Sequence, residues 1–182
     1  MNIIVVSDTN VFIDLISIGL QEQFFQLPLE VHTTDMVVFE IKRSGQSDII
    51  KDLIERCCIK VKTHTPEEMQ PFFLAEHKRY NLSPADFSVL TYSKNNNYVL
   101  LTGDGNLRKV AISEGVNVHG TIYIIAEMVE HHILTELQGA QKLEMLLNIN
   151  QRLPKSIINR LIERWRGSHI NEKEGMNMHR KI

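Results

Sequence analysis

Five short apolar or β-branched runs, separated by longer stretches with helical periodicity, constrain this chain more than any other feature. They fall at residues 3–6, 31–33, 59–61, 99–102 and 116–119. Strands that alternate with helices imply a parallel sheet, because parallel neighbours need a long crossover that a helix supplies. The runs IIVV at 3–6 and VLL at 99–101 are apolar without a break, as central strands covered on both faces should be. Residues 59–63 alternate as Ile-Lys-Val-Lys-Thr, so that strand belongs at or near an edge. The pattern predicts a three-layer α/β/α fold around a central parallel sheet of about five strands, followed by C-terminal helices.

Helices are expected at 10–18, 35–43, 48–56, 66–80, 83–93, 106–114 and 121–133. Two of them open on Thr65-Pro66 and Ser83-Pro84, a capping hydroxyl followed by proline at the first helical position. Two more helices, at 136–148 and 155–166, have no strand between them. About 45 residues are too few to bury a core alone, so residues 134–167 read as a helical appendage packed on an α/β domain at 1–133. Residues 168–182 are polar and without period, which predicts a flexible tail. Leu143, Leu146 and Leu147 serve either burial against the core or an interface, and burial is the simpler reading.

The 182 residues carry a net charge of −2, so there is no global basic field, and any nucleic-acid contact must use local patches. The only cysteines, Cys57 and Cys58, are sequence neighbours and unsuited to closing a disulfide framework; they read as reduced core residues of a cytoplasmic protein. The start MNIIVVSD lacks the positive region of a signal peptide, and no stretch has the ~18 unbroken apolar residues of a membrane span.

Four acids stand at the ends of these elements: Asp8, Glu40, Asp86 and Asp104. Asp8 and Asp104 each follow a continuous apolar strand, at the carboxyl edge where open α/β sheets bind ligands. Each also has an ordinary explanation, as a first-turn acid or a turn aspartate between glycines. Asp86 stands three residues after Ser83, a capping-box spacing. Glu40 sits in MVVFEI, a short helix that is apolar almost all round and therefore expected to be buried; a glutamate there needs a cation or an ion pair with Lys42 or Arg43. Crowded together, four carboxylates would raise one another's pKa unless a divalent cation held them.

Taken in order, these segments resemble the motifs of the PIN domains, metal-dependent ribonucleases found among the toxins of bacterial and archaeal toxin–antitoxin pairs. SDTNVFIDL is similar to the first motif, with its acid at Asp8 and small polar residues at Thr9 and Asn10. VVFEIKR is similar to the second, with Glu40; LSPADFSVL to the third, with Asp86; and LLTGDGNLRKVA to the fourth, with Thr102 before Asp104. The resemblance covers roughly residues 1 to 130. Asn106 stands near the place where some members carry a further acid. The C-terminal stretch resembles the helical extension of a subset of prokaryotic PIN-like proteins.

The resemblance implies a metal-dependent endoribonuclease acting on single-stranded RNA, the toxin of a toxin–antitoxin pair; the appendage helices offer a surface for a protein antitoxin or for a second copy of the chain. Its ligand set is all hard oxygen, which suits Mg²⁺ or Mn²⁺. Asp8 and Asp104 would bind the ion directly, Glu40 and Asp86 would complete its shell, and Asn10 and Thr102 would hold the carboxylates. Arg108 and Lys109 are the nearest basic pair for a phosphate, and Tyr80 or Tyr92 could stack a base. Two rivals are a catalytically silent RNA- or protein-binding module and an aspartyl-phosphate phosphatase. The latter wants an acid two residues after its nucleophile, where this chain has Asn10.

Overall fold

The structure, a computed structural model, describes the backbone of residues 3–41, 47–73 and 80–178, and side chains within those ranges except at 71–73 and beyond 167. One parallel sheet has the order β3-β2-β1-β4-β5. Its strands are β1 Ile3–Ser7, β2 Leu29–Thr34, β3 Ile59–Lys62, β4 Val99–Leu101 and β5 Val118–His119. From β1 the chain steps outward to β2 and β3, then returns to lay β4 against the other side of β1. Strand order therefore reverses between β1 and β4, and a crevice belongs at the carboxyl ends of these two strands. Register sets Val6 beside Leu100 and Ser7 beside Leu101. Val5, Val6, Leu100 and Leu101 are buried, as unbroken apolar strings require, whereas the alternating strand β3 lies at an edge.

The described helices are α1 Thr9–Ser17, α2 Gln21–Phe24, α3 Asp35–Ile41, α4 Ser47–Glu55, α5 Pro66–Phe73, α6 Pro84–Asn96, α7 Gly105–Ser113, α8 Thr121–Glu130, α9 Glu136–Ile149 and α10 Lys155–Met178. Ser83 caps α6 in a full capping box with Asp86, and Pro84 follows it. The helix outruns its expected end at 93 because Asn97 closes it in the left-handed region, at φ 55°, a conformation Asn tolerates better than most residues. The expected helix ends at 42–43 and 74–79 lie outside the described residues.

Helix α10 runs past its expected end at 166 to Met178. One expectation is corrected. The cysteines are not core residues, since Cys57 is exposed and Cys58 half-buried, with Cys57 at φ 59° in the turn after α4.

The chain forms two compact units: Met1–Ile16 with Pro28–Thr121, and Ser17–Leu27 with Ile122–Ile182. The first holds the whole sheet. In the second, Phe24, Ile124, Ile125, Leu143, Leu146 and Trp165 are buried. Glycine is required at 139, where a Cβ would lie 2.6 Å from Val129 Cγ2 and 3.0 Å from Trp165 Cζ3; its absence lets α9 settle against the indole. No helix among the described residues is long and apolar enough to cross a membrane.

Candidate active site

Asp8 leaves the carboxyl end of β1 and is buried, with 1% of its surface exposed. Its amide donates to Leu101 O at 3.0 Å, continuing the β1–β4 pairing by one residue. Its Oδ1 accepts from Val11 N at 3.0 Å, the first-turn contact of α1. Its Oδ2 accepts from the hydroxyl of Thr102, which follows β4. Burial pushes the carboxyl up from 3.8 to about 7, opposed by the Thr102 hydroxyl, the Val11 amide and the Asn10 side chain and reinforced by the charge of Asp86.

Thr102 serves a second acid as well. Its Oγ1 accepts from Asp104 N at 3.0 Å, and Asp104 Oδ1 in turn caps α7 by accepting from Asn106 N at 2.9 Å and Leu107 N at 2.7 Å. One fully buried threonine thus fixes the two strand-end acids relative to each other.

Thr34, at the carboxyl end of β2, does the same for the other pair. Its Oγ1 accepts from Val37 N at 3.3 Å, capping α3, which carries Glu40. The same oxygen shares a 2.7 Å hydrogen bond with Ser88 of α6, which carries Asp86. Asp86 Oδ2 accepts from Ser83 Oγ at 2.8 Å and Ser83 N at 3.2 Å. Burial raises the Asp86 carboxyl, the Ser83 contacts lower it, and the charges of Asp104 and Glu40 raise it further. Asp86 is therefore the electrostatic hub, coupled to each of the other three acids.

Glu40 departs from expectation. It is exposed, because only Val37 and Ile41 of α3 turn to the core and Phe39 is 59% exposed. No burial penalty singles it out. What joins it to the site is Thr9, whose Oγ1 donates to Glu40 Oε2 at 2.5 Å across 31 residues of sequence. Its expected partners Lys42 and Arg43 lie outside the described residues.

The basic pair divides. Arg108 donates from Nη2 to Thr102 O at 2.9 Å and from Nη1 to Val118 O at 3.3 Å, so its guanidinium braces the ends of β4 and β5. Lys109 is exposed. Both tyrosines considered for stacking have roles within the fold: Tyr80 donates to Glu114 at 2.8 Å, and the Tyr92 hydroxyl meets His32 at 2.8 Å. Asn106 acts as a clamp, its Nδ2 donating to Asn81 O at 2.9 Å and Tyr80 O at 3.2 Å, which ties the loop before Asp86 to the helix capped by Asp104. A further buried carboxylate, Asp14, accepts from Thr121 Oγ1 at 2.8 Å.

Among the described residues, no three His, Cys, Asp or Glu side chains stand close enough to hold a metal ion as they are placed. Each acid instead accepts from a local hydroxyl or amide. The donor set nevertheless fits a hard divalent cation: four carboxylates, two with raised pKa values caused by burial and mutual charge, which a cation would relieve.

A solved structure, a PilT N-terminus domain protein from the hyperthermophilic archaeon Sulfolobus solfataricus P2, is similar at 18% identity and a TM-score of 0.49, over 71% of this chain and 97% of that one. No curated protein matches significantly. A family model described as PIN domain (DUF3368) matches residues 4–167, spanning all four acids and the C-terminal helices as far as Gly167. The chain belongs to the PIN-domain family.

Proposed function

We propose that the protein is a divalent-metal-dependent endoribonuclease that hydrolyses single-stranded RNA. The observation that carries this reading is the charge arrangement at the switch point: a buried Asp8 tied through Thr102 to Asp104, with Asp86 coupled to both Asp8 and Asp104 and to Glu40. Uncompensated, these acids repel a phosphodiester. A bound Mg²⁺ or Mn²⁺ would supply charge neutralisation, a bound water of lowered pKa and stabilisation of the leaving oxygen.

Asp8 and Asp104 would hold such an ion directly. Glu40 and Asp86 would complete its surroundings, and one of them would orient the attacking water. Thr102, Thr9 and Asn10 hydrogen-bond the carboxylates, and gathering them round one ion would require the acidic side chains to turn from these partners toward it. Lys109 is left to meet a substrate phosphate. The toxin role, with a protein antitoxin as partner and a cytoplasmic site of action, rests on the family resemblance; growth arrest on induction, relieved by the product of an adjoining gene, tests it.

Purified protein is expected to cleave single-stranded RNA with Mg²⁺ or Mn²⁺ and to stop in EDTA. Asp8→Asn and Asp104→Asn should each lower kcat/KM by about 10²-fold or more, the scale of losing a group that stabilises developing charge, while circular dichroism stays unchanged. Cleavage that persists in EDTA, or at an equal rate in both variants, would falsify the mechanism. A silent binding module would instead bind RNA without turnover in any metal.

A further inference from the structure

Next to the acids, the first unit has an open pocket of ≈ 590 Å³ whose wall is mainly apolar: Met36 and Phe39 from α3, Met69 from α5, and Pro84 with Ala85 from the start of α6. Glu40 also lines it, and so does Ser83, whose hydroxyl donates to Asp86. The pocket is thus continuous with the acidic cluster through two of its own members. Asp35 stands at its edge with both carboxylate oxygens engaged, Oδ1 with His64 Nδ1 at 2.6 Å and Oδ2 by His64 N at 2.9 Å. That pair holds the chain leading into α5, and with it Met69, over the pocket.

A ligand that fills this space and also reaches the carboxylates must join an apolar, flat group to a group that a metal–carboxylate site can take. A nucleotide within a single strand has that make-up: a base with two π faces beside a phosphodiester. A volume of this size lies in the range of small-ligand sites, which are mostly apolar with few polar groups. Phe39 offers an exposed ring, on which a base can stack with little regard to its identity, and the thioethers of Met36 and Met69 adapt to purine or pyrimidine faces. We propose that this pocket is a nucleobase subsite, seating one unpaired base beside the scissile phosphate. It rests on the nuclease reading above and adds to it a reason for single-strand preference: a base held in a duplex cannot enter.

The test measures fluorescence anisotropy of labelled single-stranded oligoribonucleotides, intact or carrying one abasic position moved along the strand, in Ca²⁺ to hold substrate, with cleavage of the same strands followed in Mn²⁺. One abasic position should weaken binding about 5- to 150-fold, the stacking contribution of about 1–3 kcal/mol per base converted to affinity. Phe39→Ala should weaken the intact strand by a similar factor and leave the abasic strand unchanged, as should Met69→Ala to a smaller extent. If the wild type cleaves RNA but Phe39→Ala binds intact and abasic strands like the wild type, the subsite is overturned and the nuclease reading stands. If the wild type neither binds nor cleaves RNA in any metal, both fall together. Unchanged RNA binding accompanied by loss of self-association in Phe39→Ala would assign the pocket to a second copy of the chain and overturn the subsite.

Discussion

At the scale of the residue, Asp8 carries a charge that its surroundings resist. Its carboxyl titrates near pH 7 in the fold against 3.8 outside it, so between those values the folded state binds more protons than the unfolded one. Stability must then fall as pH rises through that window, and below it the contribution is fully present. The span corresponds to roughly 4 kcal/mol at 1.36 kcal/mol per pH unit, an upper bound for a site that relaxes or admits water. In EDTA, wild type should lose stability from about pH 4 to pH 7 relative to Asp8→Asn, and the variant should be the more stable of the two at about pH 8. Parallel pH profiles of the two midpoints would contradict this. The strand end before Asp8 was legible, because it closes an apolar run. The burial expected of Glu40 was not met: MVVFEI reads as a buried helix, and only the structure shows that Phe39 and its neighbours line an open pocket in place of a core.

At the scale of the element, two threonines turn strand ends into a site. Thr102 was legible two residues before Asp104; Thr34 was not, because it looks like any β-branched strand residue until its hydroxyl is seen to cap α3 and meet Ser88. Thr34→Val keeps the shape and removes the hydroxyl. It should cost about 1–2 kcal/mol, the usual loss of a helix N-cap, measurable as a lower denaturation midpoint. It should also lower kcat, since α3 with Glu40 and α6 with Asp86 lose the hydroxyl that both contact. Thr34→Ser should restore both. A midpoint loss without any change in kcat would confine Thr34 to stability. The capped helices were readable for the same reason that these hydroxyls matter: Thr65-Pro66 and Ser83-Pro84 announce their helices through donors and acceptors in sequence. Helix α2 lacks such a signal, having Leu20 at its cap position and no side-chain cap bond.

At the scale of the whole molecule, what composition and period could not supply was strand order. Five runs with helices between them are compatible with several parallel sheets, and only the order β3-β2-β1-β4-β5 makes neighbours of the ends that carry Asp8 and Asp104. That order joins residues from 8 to 104 at one edge, so a cation held there would link four segments that are separate in the unfolded chain. Binding to the native state alone stabilises it by about 2.7 kcal/mol at a hundredfold excess over Kd. For a chain of this length that is about 5 to 10 °C in Tm. Titrating Mn²⁺ into the EDTA-treated protein should raise the melting transition by that amount. Asp8→Asn and Asp104→Asn should remove most of the rise, whereas Glu40→Gln, an exposed acid at the rim, should remove only part. Equal shifts in wild type and all three variants would mean that Mn²⁺ binds elsewhere, and the four acids would then be four local caps and turns with no shared ion.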